Sequence, residues 1–87
     1  MDDVERQAHE DCLAARQLYL DAGVQYHEAY AAAVLAWHLP LARQWFLVKA
    51  WSAIADSRAA AALFKDAARR LRKARLARRD QRQRVAP

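Results

Sequence analysis

The sequence predicts an all-α protein, an antiparallel hairpin of two long helices. Three observations predict it. The 87 residues include 22 alanines, one glycine and two serines, with no asparagine or threonine, so the residues that build turns and strands are nearly missing. Apolar residues recur in alternating steps of three and four on both sides of the chain's middle. The only internal proline, Pro40, separates those two periodic stretches. A chain this short makes one domain with a modest core.

The first helix is expected over residues 3–38. Asp2 or Asp3 suits its N-cap, and the early carboxylates suit the positive end of the helix dipole. Ala8, Cys12, Ala15, Tyr19, Ala22, Tyr26, Ala29, Ala33 and Ala36 form one unbroken register of mostly small residues, which lets a second helix approach closely. Leu13, Leu20 and Val34 form a second apolar column, and Tyr30 and Trp37 a third. A helix apolar over more than half its circumference is buried on more than one side. Gly23 in mid-helix implies either a close neighbour or a bend.

Pro40 breaks this pattern, and the residue before a proline leans toward extended backbone. A turn near residues 38–41 follows; the competing arrangement is one long kinked helix.

The second helix is expected over residues 41–80, with the register Leu47, Ala50, Ile54, Ser57, Ala61, Phe64, Ala68 and Leu71. Ala53, Ala60, Ala67 and Ala74 form a flanking column. Folding back at Pro40 pairs positions whose numbers sum to about 80 and sets large residues against small ones. It also places Glu5 beside Arg75, Glu10 and Asp11 beside Arg69 and Arg70, and Asp2 and Asp3 near Arg78 and Arg79. Residues 1–40 carry seven acids and two bases, a charge of −5; residues 41–87 carry three acids and thirteen bases, a charge of +10. The hairpin absorbs part of that asymmetry. Residues 81–87 are expected to be a basic flexible tail.

Two candidate sites emerge. Leu13, Leu20, Tyr30, Val34, Trp37, Trp45, Phe46 and Trp51 exceed what two helices bury, and tryptophans dominate protein interfaces. They point to a protein partner or a second copy that completes a four-helix bundle. Arg72, Lys73, Arg75, Arg78, Arg79, Arg82 and Arg84 form a basic helix that suits phosphate contact, so a nucleic-acid-binding accessory role is the alternative. No zinc-finger spacing or helix-turn-helix arrangement accompanies it.

No cofactor or metal is expected. His9 and Cys12 are the only ligand-like neighbours, short of the four ligands a structural metal needs. Ser52 and Ser57 lie in helical pattern with no base and orienter beside them, so no enzyme is expected. No transmembrane segment is expected, since the longest uncharged run, residues 29–42, is 14 residues and contains His38 and Pro40, and the acidic half works against a membrane partner docking on the Trp-rich end near Arg43 and Lys49. A single cysteine and an acidic start favour the cytoplasm over secretion. The expected function is that of a small non-enzymatic interaction and assembly module.

Overall fold

The computed structural model describes residues 2–85 and is an all-α hairpin. Helix α1 spans Asp3–Leu35 and helix α2 spans Pro40–Val85. They pack along their length into a rod of 74 × 14 × 14 Å. No strand occurs among the described residues.

The start of α1 is fixed locally. Asp2 is extended (φ −77°, ψ 174°), and its Oδ1 accepts a 2.7 Å hydrogen bond from the backbone N–H of Glu5. That satisfies one of the donors a helix start leaves open. The turn occupies residues 36–39, so α1 ends three residues earlier than the pattern predicts. It forms without glycine or positive φ. The Leu39 N–H donates to the Ala36 carbonyl at 2.9 Å, and Pro40 opens α2, where its missing N–H is not needed. Arg43 reaches back over this turn. Its Nη1 donates to the Trp37 carbonyl at 3.3 Å, and its guanidinium lies 4.7 Å from the centre of the Trp37 ring.

The registers of the two helices meet as the sum rule requires, Asp11 opposite Arg70 and Glu5 opposite Arg75. The rotation of α2 differs from the expected one. Ala50, Ala53, Ala60 and Ala67 are buried, whereas Leu47, Ile54, Ala61 and Leu71 are half-buried and Phe64 is 41% exposed. The column expected to flank the seam is therefore its centre. Ala8, Ala15, Ala22 and Ala29 of α1 recur every seven residues, as do Ala53, Ala60 and Ala67 of α2. Two alanine rows facing each other bring the helices closer than any row containing Leu or Phe allows, and that ejects the large side chains sideways. Tyr19, expected in the seam, is exposed for the same reason.

The resulting core is thin. No apolar side chain larger than Cys12 is buried among the described residues, and the largest fully buried side chain is that of Glu5. α2 also outruns α1. Beyond Arg78 it has no residue of α1 opposite, yet it stays helical to Val85, through most of the segment expected to be a flexible tail. Ala86 and Pro87 lie outside the described residues.

Candidate protein-docking face

The seam divides the hairpin into two broad faces. On α1, Tyr19 and Tyr26 edge the seam on one side. Beyond them follow the columns Arg16–Gly23–Tyr30 and Leu13–Leu20–His27–Val34, each stepping by seven, with Trp37 in the turn after Leu35. On α2 the corresponding columns are Phe64–Leu71, then Leu47–Ile54–Ala61–Ala68–Arg75, then Trp51–Arg58–Lys65–Arg72–Arg79. Two shallow grooves place both sets on the same side of the rod. One joins Arg16 and Tyr19 to Ala61, Phe64 and Lys65. The other joins Cys12 to Phe64, Ala68 and Leu71.

This lateral face is aromatic and aliphatic toward the turn and basic toward the free end. Tyr26 stacks on Tyr30 with centroids 6.0 Å apart and meets His27 edge-on at 5.4 Å. Leu13, Leu20, Val34, Tyr30, Trp37 and Trp51 are all about half exposed or more. Small residues lie between the large ones. Around Gly23 the space is open, with nothing within 4 Å of where a Cβ would stand. No close neighbour within the hairpin therefore explains that glycine.

Two carboxylates lie on these columns, both at the free end: Asp2, the N-cap of α1, and Glu5, which is buried between two arginines. Its Oε1 accepts from Arg75 Nε at 3.4 Å, and its Oε2 lies 2.8 Å from Arg78 Nη1. The second contact is off the N–H direction and counts as ionic attraction, leaving Oε2 without a directed hydrogen bond.

The opposite face mixes charges. Arg70 Nη1 donates to Asp11 Oδ2 at 2.9 Å across the helices and Arg70 Nε to Asp66 Oδ2 at 3.2 Å along α2. The Arg70 hydrogen bond, helped by that of Gln7, holds the Asp11 carboxyl below its ordinary 3.8. Asp11 in turn raises the pKa of Arg70. Arg6 pairs with Asp3 at the start of α1.

The eight apolar residues singled out from sequence are thus not one patch. Five (Leu13, Leu20, Tyr30, Val34 and Trp51) share the lateral face, and Trp37 lies in the turn beneath the Arg43 guanidinium. Phe46 turns to the opposite side, lining a groove with Glu28, Ala29 and Lys49. Trp45 lies under Lys49, whose Nζ is 5.2 Å from its ring centre, and no tryptophan stacks on another among the described residues. Sequence reasoning left Tyr26, Leu47, Ile54, Phe64 and Leu71 out of the docking set because it used them to fill the seam. The signal that separates them is the pair of seven-residue alanine repeats.

The basic residues divide as well. Arg72, Arg75 and Arg79 line the lateral groove with Leu71 and Leu76. Lys73 turns to the other side with Gln7 and Arg70. Arg75 and Arg78 are engaged by Glu5, whereas Arg72, Arg79, Arg82 and Arg84 form no ion pair among the described residues. No cluster of three or more potential metal ligands occurs among the described residues. Neither helix is long and apolar enough to cross a membrane.

The fold and face together define an alanine-seamed helical hairpin with an uncovered apolar side. Comparison of the chain with protein-family models, with curated proteins and with solved structures found no match.

Proposed function

We propose that the hairpin is a non-enzymatic assembly module whose lateral face is covered by further helices, closing it into a four-helix bundle. One observation carries this reading: the seam buries alanines while the large apolar side chains stay outside. The surface area makes the same point. The chain exposes 7034 Å² at 10.0 kDa, whereas a compact chain of that mass exposes about 5,200 Å². The excess, about 1,800 Å², is what one subunit buries in a large permanent interface. A lone cysteine suits a reducing compartment, so the module is assigned to the cytoplasm.

A photo-crosslinking amino acid at Leu20 or Ala61, compared with Gln17 or Ala59 on other sides of the rod, tests the reading in the native cell. Discrete protein adducts from the first pair alone are expected. Equal yields from both pairs would remove the face as an interface.

The second reading is nucleic-acid binding by the free end of α2. It is favoured by the overhang beyond Arg78, where Arg79, Arg82 and Arg84 carry charge with no ionic partner among the described residues. Binding to a short DNA duplex or single-stranded RNA that weakens steeply with salt, and is lost in the Arg82→Ala/Arg84→Ala chain, would establish it.

A further inference from the structure

The lateral face joins three properties: large apolar side chains, open positions between them, and no carboxylate along its length beyond the free end, where Glu5 is buried and doubly paired and Asp2 caps α1. We infer that its occupant is an acidic amphipathic helix from another protein. The apolar stripe of that helix seats against Tyr19, Ile54 and Phe64, and its carboxylates meet Arg16, Arg58 and Lys65. The inference rests on the assembly reading and names the partner's chemistry.

Each property excludes a different occupant. A second copy laid parallel on the same face would set arginine against arginine, and one laid antiparallel would set the basic free end against the aromatic turn end, so in neither does this face offer carboxylates along its length to pair its cations. A phosphate backbone would satisfy the arginines but leave Leu13, Leu20 and Phe64 in water. A lipid surface would accept both charge and apolar groups but has no use for relief. This face has relief: the gap at Gly23 lies between Tyr19 and Tyr26 on α1, and the small Ala61 and Ala68 lie beside Phe64 and Leu71 on α2. Such alternation receives the knobs of a packed helix.

Gly23 makes the inference separable from fold stability. An added methyl there meets nothing in the hairpin. Gly23→Ala therefore leaves the fold intact or firmer while filling a position that an incoming side chain would occupy.

The test uses the full chain and three labelled designed peptides of about 28 residues, long enough for roughly 40 Å of helix. One carries a leucine stripe flanked by glutamates, the second the same stripe flanked by lysines, and the third the first composition scrambled. Fluorescence anisotropy at about 100 mM salt should give a Kd at or below about 10 µM for the first peptide. The other two should bind at least about tenfold more weakly. Gly23→Ala should weaken the first peptide's binding while melting no lower than the parent, and Arg58→Glu/Lys65→Glu should abolish the preference for glutamate.

Equal binding of the lysine peptide overturns the inference but leaves an apolar docking face. So does a dimer, seen by sedimentation at the same concentrations, that excludes the peptide. Binding of RNA or phosphatidylserine vesicles with no binding of any peptide and no dimer overturns the assembly reading as well.

Discussion

The Oε2 of Glu5 lies 2.8 Å from Nη1 of Arg78, and this acid is the largest side chain the hairpin buries completely. Arg78 sits at the last position of α2 that has α1 opposite it, so the pair fixes where the two helices stop matching. The partners are unequal: Glu5 is 1% exposed, whereas the side chains of Arg75 and Arg78 are 54% and 37% exposed.

That inequality predicts opposite outcomes for the two sides of the pair. Arg78→Ala leaves a buried carboxylate with one weaker partner and should cost about 1–3 kcal/mol in urea unfolding. Glu5→Leu removes the buried charge while the arginines swing into water, and should fall within about 1 kcal/mol of the parent or above it. A larger loss for Glu5→Leu than for Arg78→Ala would contradict this.

The seam's closeness depends on side-chain size at a few positions. Ala22→Leu or Ala60→Leu forces a branched side chain between backbones packed at alanine distance and should destabilise by about 1–3 kcal/mol or more. The same change at Ala62, on the outer side of α2, should stay within about 0.5 kcal/mol of the parent. Thermal melts of the three variants compare them directly.

Gly23→Ala should stabilise the isolated chain by roughly 0.5–1 kcal/mol, since the helix gains propensity and the new methyl enters open space. Chemical denaturation measures it; a loss of stability would mean that the helices crowd this position in solution.

The acid limb should carry a contribution from Asp11. Its carboxyl is held below 3.8 in the folded chain, chiefly by the hydrogen bond from Arg70 and then by that from Gln7. A depressed pKa stabilises the fold above the unfolded value, and that contribution is lost as pH falls through the folded value. Melting temperature should therefore drop more steeply for the parent than for Asp11→Asn once pH passes below 3.8. Parallel acid limbs would remove Asp11 from the linkage.

The two helices, their order and their pairing register were legible because each rests on a local or additive signal. Pro40 ends one periodic stretch and starts the next, Asp2 caps where an acid before a helix caps, and the sum rule follows from the position of the turn. The rotation of α2 was less legible. Leu47, Ile54, Phe64 and Leu71 make a better hydrophobic stripe than Ala53, Ala60 and Ala67, so a search for apolar strength chooses the wrong column. A two-helix contact instead favours the column that lets backbones approach, and the strong stripe is left for a third element. The lateral face was half visible for the same reason. Its α1 side stood out as surplus, whereas its α2 side was hidden by being assigned to the core. Trp45 and Phe46 stood out by type alone, and lying six and five residues before Trp51 turns them about 120° and 140° away from it round the helix.

The central claim is that rotation, with the alanines inside and the large apolar side chains outside. Single cysteines placed at Ala53, Ala60, Ile54 and Phe64 in a Cys12→Ala background measure it by thiol-labelling rate at concentrations where the chain is monomeric. Labelling at positions 54 and 64 should be at least about tenfold faster than at 53 and 60, which open only when the helices separate. Protection at 54 and 64 with rapid labelling at 53 and 60 would put the strong stripe in the seam and remove the α2 half of the docking face.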